Sequence, residues 1–203
     1  MPTASPPRAS ARVSRLVLVV LAILSANAYA DWTLDNARSE LHFVTVKAQD
    51  VAEVHSFDEL SGTVWKDGIA EVTIQLASVD TLIPIRDERM RELLFKTDVF
   101  PTAGARTRLD LASLEALQPG ESRVVTAEMI FTISGTELPI TADLLVTRLS
   151  ASRMMVVTTK PLVVNAGSVA LAEGVDQLRD IAGLPSISKA VPVTFILQFQ
   201  KDG

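Results

Sequence analysis

From residue 191 to residue 200 the chain alternates without a break. Val191, Val193, Phe195, Leu197 and Phe199 take one set of positions, and Pro192, Thr194, Ile196, Gln198 and Gln200 take the other. Successive side chains of a strand point to opposite faces, so this period of two describes a strand with one apolar face. The same period runs through Val125, Ala127, Met129, Phe131 and Ile133, set against Val124, Thr126, Glu128, Ile130 and Thr132. It recurs in Val72, Ile74 and Leu76, set against Glu71, Thr73 and Gln75. Turn residues at Lys66-Asp67-Gly68, Pro119-Gly120 and Ser134-Gly135-Thr136 separate such runs, implying long antiparallel strands over 41–65, 122–134 and 138–164. Pro192 marks a strand start or an edge, because it has no N–H to donate. Long strands with one apolar face close or curl, since an open sheet leaves unpaired edges. The pattern therefore predicts a mainly β chain, an antiparallel up-and-down barrel of about eight strands.

Two segments break the alternation. In Ile83 to Pro101, Pro84 suits a first helical turn and Asp87 and Glu88 suit the positive end of the helix dipole. Met90, Leu93 and Leu94 share one helical face, while Asp87 and Arg91 fall four apart on the exposed side; Pro101 prevents further helix. A second short helix is predicted from about Ala172 to Ala182, with Val175, Leu178 and Ile181 as its apolar stripe and Gly183 and Pro185 as its stop.

Residues 1–30 read as a secretory leader. Arg8, Arg12 and Arg15 precede an apolar run of nine residues, Leu16 to Leu24, and Ala28-Tyr29-Ala30 provides a small-x-small cleavage site before Asp31. Nine residues fall far short of the roughly 20 that span a bilayer, so cleavage after Ala30 and a periplasmic domain of residues 31–203 are expected, with no integral span. The leader holds three of the 19 basic residues and none of the 24 acidic ones, leaving 16 against 24 and a formal net charge of −8. That balance argues against a nucleic-acid partner and against electrostatic docking to anionic lipid. The chain has no Cys, which excludes disulfides and thiolate metal sites and leaves stability to core burial.

Catalytic constellations are thin. There is no G-x-S-x-G elbow, P-loop or G-x-G-x-x-G. His55 and Ser56 are adjacent on a predicted strand and so point to opposite faces. His42 and His55 could in principle hold zinc with Asp50, Glu53 or Asp58, but no H-x-H or H-x-x-x-H spacing fixes two ligands on one face, and ordinary strand histidines are the favoured reading. Asp87 is expected to cap its helix and Arg86 to brace a loop. No catalytic residue, metal or cofactor is assigned. In a barrel, Met90, Leu93 and Leu94 would form a lid or plug over inward positions Met129, Phe131, Val193, Phe195 and Phe199. Periodicity alone does not tell a packed lumen from one that holds a ligand.

Four motifs in order break that tie. Trp32-Thr33-Leu34-Asp35 with Ser39 to Phe43, then Phe57 to Val64, then Arg86-Asp87 with Met90, Phe95, Asp98, Phe100 and Pro101, then Phe131 to Ile140, together resemble the YceI-like family. Departures are Arg38 and Ala48, where histidines are common, Ser134 in place of a frequent Arg, and a helix between Lys160 and Ala190 where the family has a D-F-G-like segment. The resemblance implies a periplasmic lipocalin-like barrel that binds a polyisoprenoid lipid, such as a polyprenyl phosphate or a quinone, and is not an enzyme. It implies further that the eight lid and inward residues line an apolar tunnel; an enzyme acting on such a lipid and a ligandless interaction protein are the rival readings, and homodimerisation stays open.

Overall fold

The computed structural model describes residue 1 and residues 30–201, so the leader and its cleavage site lie outside the described residues apart from Met1 and Ala30. Eight antiparallel strands follow one another around a closed ring. β1 runs in two halves, Ala30–Leu34 and Glu40–Lys47; β2 likewise, Val51–Phe57 and Leu60–Trp65; and β3 comprises Ile69–Gln75 and Val79–Asp80. β4 is Thr102–Arg108, β5 Ser122–Ile133 and β6 Thr136–Ser150. β7 is Arg153–Thr158 with a continuation at Leu162–Asn165, and β8 is Ala190–Lys201. Each strand pairs with the next, and β8 completes the ring against β1, with Trp32 opposite Lys201 and Phe43 opposite Val193. The expected up-and-down barrel of about eight strands is thus the observed fold.

The predicted spans 41–65 and 138–164 are each divided. The first contains a turn at 48–50, where Ala48 and Gln49 adopt positive φ (48° and 79°) without glycine. That turn is tied down by Ser186, whose carbonyl accepts from Ala48 N at 3.0 Å and whose hydroxyl accepts from Gln49 N at 3.3 Å. The bends in β1 and β2 are stitched by one side chain: Asn36 donates to Asp58 O at 3.0 Å and accepts from Leu60 N at 2.7 Å. Backbone groups that the bends remove from the ladder are satisfied in this way. The Ser134-Gly135 turn is a two-residue hairpin with both φ positive (50° and 70°), and Phe100 packs on Gly135 so closely that a Cβ there would lie 3.3 Å from its ring. Pro192 sits near the start of β8, opposite Val163.

Helices cover both ends. α1, Pro84–Arg89, begins with proline in its first turn and continues into a π-helical turn, Met90–Phe95. α2, Leu111–Glu115, was not expected; the Asp110 side chain caps it by accepting from Ser113 N at 3.2 Å. α3, Ala172–Ile181, matches the expected segment and ends at Gly183 with φ of 63°. It packs on the π-helical turn through Gly174, where a Cβ would come within 2.8 Å of Leu94 Cα. The two helices approach to backbone contact only because that residue is glycine.

Candidate functional site

The barrel encloses a cavity of about 600 Å³. Its walls are almost wholly apolar, and one end is shut. There Trp32, 1% exposed, lies across the floor with Leu111 and Leu114 of α2. Trp32 Nε1 donates to Glu115 at 3.3 Å, Lys201 Nζ donates to the same carboxylate oxygen at 2.5 Å, and the Arg148 guanidinium stacks 5.1 Å from the indole centroid. Arg148 also donates to the carbonyls of Ser150 and Ala151, holding the β6–β7 turn. The Lys201 hydrogen bond, foremost, holds the Glu115 carboxyl below its usual range.

At the opposite end the inward positions become polar layer by layer. Leu41 and Phe43 give way along β1 to Thr45 and Lys47, and Phe57 gives way along β2 to His55 and Glu53. Three phenylalanines form the layer below the polar ones, Phe43 to Phe57 at 5.3 Å between ring centroids and Phe57 to Phe95 at 5.6 Å. Above them His55, 4% exposed, shares a 2.9 Å hydrogen bond through Nε2 with Thr45 Oγ1 and stands 5.2 Å from Phe43. Its Nδ1 has no protein partner. Burial, reinforced by the positive charge of Arg86, keeps the His55 pKa below its ordinary value and the ring neutral. At the rim Glu53 accepts from Lys47 at 2.7 Å and from Arg86 at 2.8 Å. Those contacts, the Lys47 hydrogen bond first, hold its carboxyl below the usual range. Ile83 and Ile85 also border the cavity and are 43% and 53% exposed, so the cavity reaches solvent here.

Arg86 braces a loop as expected: Nε donates to Thr81 Oγ1 at 2.8 Å and NH2 to Thr81 O at 2.6 Å. Asp87 does not cap its helix. It is buried and turned away from Arg91, accepting from Thr81 N at 2.9 Å and from Thr81 Oγ1 at 2.5 Å, while Ile83 occupies the N-cap position. The loop before the helix offers two donors in the interior, and their demand outweighs a surface ion pair.

Seven of the eight anticipated wall residues border the cavity: Met90, Leu94, Met129, Phe131, Val193, Phe195 and Phe199. Leu93 does not. The π-helical turn adds a residue per turn, so Phe95, five positions after Met90, swings inward, and Leu93 leaves the face that α-helical spacing would give it. In α3, Val175 and Leu178 line the cavity, but Ile181 is 50% exposed. The charged rim of Lys47, Glu53 and Arg86 was not anticipated as a unit; the fading of apolar character along Leu41, Phe43, Thr45 and Lys47 was its available signal. His42 faces outward beside Glu40, His55 faces inward, and Asp58 accepts from Ser56 Oγ outside, so the zinc set considered above is not assembled. Among the described residues no three His, Cys, Asp or Glu side chains group to hold a metal ion, and no helix is long and apolar enough to cross a membrane.

An antiparallel eight-stranded barrel, floored by a tryptophan and opening through a charged rim onto an apolar cavity, defines a lipocalin-like protein. The chain belongs to the YceI-like family, whose domain model matches residues 32–199. Among solved structures it is similar to a polyisoprenoid-binding domain from Saccharophagus degradans implicated in plant cell wall breakdown, with 37% identity, a TM-score of 0.85, and coverage of 86% of this chain and 100% of that one. Burkholderia cenocepacia BcnA shares the fold at 20% identity and a TM-score of 0.61, over 81% of this chain and 98% of its own. A Campylobacter jejuni YCEI protein shares it at 12% identity and 0.53, over 73% and 85%. No curated protein matches the chain.

Proposed function

We propose that the protein binds an isoprenoid lipid without covalent chemistry, its tail in the cavity and its polar head at Lys47, Glu53 and Arg86, and carries it through the periplasm. The observation that carries this reading is the apolar cavity of about 600 Å³ with a single polar end. An apolar space of that size left unfilled forfeits the packing contacts that its lining would otherwise make. Apolar cavities do not favour water, so an apolar occupant suits the space. A tail placed there gains about 25 cal/mol per Å² of buried apolar surface, less the entropy of ordering it. Similarity to a polyisoprenoid-binding domain supports the isoprenoid class. At the rim Lys47, Arg86 and Arg89 outnumber Glu53, which favours an anionic head, as in a polyprenyl phosphate, over a quinone.

A rival enzymatic reading rests on Glu53 and His55, two titrating groups shifted from their ordinary values at one mouth. One set of measurements separates the two. Purified protein should bind polyprenyl phosphate and return it unchanged. Glu53→Gln, which leaves Lys47 and Arg86 uncompensated, should tighten binding of the phosphate but not of the matching prenol, and Phe195→Trp, which narrows the lumen, should weaken both. Release of a modified lipid would favour the enzyme, and failure of the wild type to take up either lipid would refute the binding reading. Export rests on the leader: the released protein should begin at Asp31, and a product retaining Leu16 to Leu24 would contradict a free carrier.

A further inference from the structure

Among residues 30–201, Leu82 is the most exposed large apolar residue, at 83%, and it holds a positive φ of 62°. That backbone region costs a bulky side chain free energy, and an exposed leucine recovers none of it by burial. The conformation is imposed by its surroundings. Leu82 N donates to Asp80 at 2.7 Å, and Thr81 just before it is gripped by Asp87 and Arg86. The scaffold therefore displays this side chain to water in one fixed place. Ile83 and Ile85 follow it in sequence, both exposed and both bordering the cavity, so exposed apolar side chains at this mouth join the cavity wall. At the end of α3, exposed Ile181 precedes Leu184 and Ile187, which line the cavity. Lys47, Arg86 and Arg89 border the same cavity, with Glu53 paired to the first two.

We propose that this rim docks on a lipid bilayer, with Leu82 and Ile85 inserted among the acyl chains and the basic side chains at head-group level, so that the cavity opens into the membrane. The proposal rests on the reading that the cavity takes an isoprenoid. A bilayer is the occupant that fits, because the apolar rim is continuous with the cavity, an isoprenoid tail resides in bilayers, and apolar tips flanked by Lys and Arg suit the membrane interface. A second copy of the chain on the same rim would shut the cavity from its ligand. The remainder of the chain is acidic, so insertion rather than charge attraction supplies the affinity, and docking should be insensitive to salt.

The test uses protein taken from the cells that make it and its Leu82→Asn variant, prepared in the same way. Asparagine tolerates positive φ, so the variant should melt no lower than the wild type. In flotation with phosphatidylcholine vesicles, with and without phosphatidylglycerol, the wild type should bind both and Leu82→Asn should bind about tenfold more weakly, the loss of roughly one buried side chain. Equal flotation of the two proteins, or none by the wild type, would overturn docking. So would a wild-type dimer that Leu82→Asn separates, seen by sedimentation without vesicles. Uptake of polyprenyl phosphate from detergent isolates the underlying reading: if both proteins take it up equally, a flotation failure counts against docking alone, and if neither does, the binding function itself fails.

Discussion

The two ends of the barrel are built from the same chemical part and put it to opposite uses. At the floor Glu115 is held by Lys201 and Trp32; at the rim Glu53 is held by Lys47 and Arg86. The two carboxylates are almost equally exposed, 31% and 29%, so burial does not distinguish them. What differs is what the cations rest on. Arg148 and Lys201 lie over the face of a tryptophan, within 5.1 and 5.4 Å, where cation and ring shed water together. Lys47 and Arg86 border open cavity and exposed isoleucines. A charged cluster on an aromatic floor closes a barrel, and the same cluster beside open space leaves its cations at the edge of a cavity.

The sharpest way to break this contrast is to remove the floor. Trp32→Ala should destabilise by about 3–5 kcal/mol in urea unfolding, because it deletes a large buried side chain, one hydrogen bond to Glu115 and the ring face on which Arg148 and Lys201 lie. A loss below about 1 kcal/mol would mean that the floor does not organise its end. At the mouth, Asp87→Ala should cost about 1–3 kcal/mol by leaving Thr81 N–H and O–H without their acceptor, while the folded protein still takes up lipid. Asp87→Asn, which keeps an acceptor, should lose less, and an equal loss would show that charge rather than hydrogen bonding matters.

The smallest effect is a pH dependence in which a histidine of the mouth titrates before a carboxylate at each end. His55 titrates in the folded protein below its ordinary 6.5, so its contribution is complete above that pH and declines as pH falls below it, when the unfolded chain takes up the proton first. Glu53 and Glu115 lie below their ordinary 4.5, so their contributions persist above that value and are lost on further acidification. Melting temperature should therefore fall in two stages. His55→Phe should remove the first and spare the second, and a first stage that survives this substitution would place its origin elsewhere.

Strand alternation made most of this fold legible in the sequence, since a period of two both identifies strands and assigns their inward positions. Met129, Phe131, Val193, Phe195 and Phe199 reached the cavity wall by that rule alone. Three things escaped it, each for a physical reason. The turn at Ala48 and Gln49 carries no glycine or asparagine, because hydrogen bonds donated to Ser186 rather than local preference impose its positive φ. Leu93 was misplaced because α-helical spacing was applied to a π-helical turn. The rim joins Glu53 of β2 to Arg86 of α1 across 33 residues, a pairing that, like the closure of the barrel, no local pattern reports.

That closure also governs how the protein comes into being. Gln198 N donates to Ser39 Oγ across 159 residues of sequence, and the last strand pairs with the first over both halves of β1. Contacts so distant along the chain form late and slow the search for the native state. Until β8 arrives, β1 and β7 present long unpaired edges that invite association with other chains. An enclosed lumen is thus acquired in one late step, when the twelve residues of β8 zip the wall shut, and a chain truncated before Ala190 should be sticky and without a closed cavity rather than partly formed.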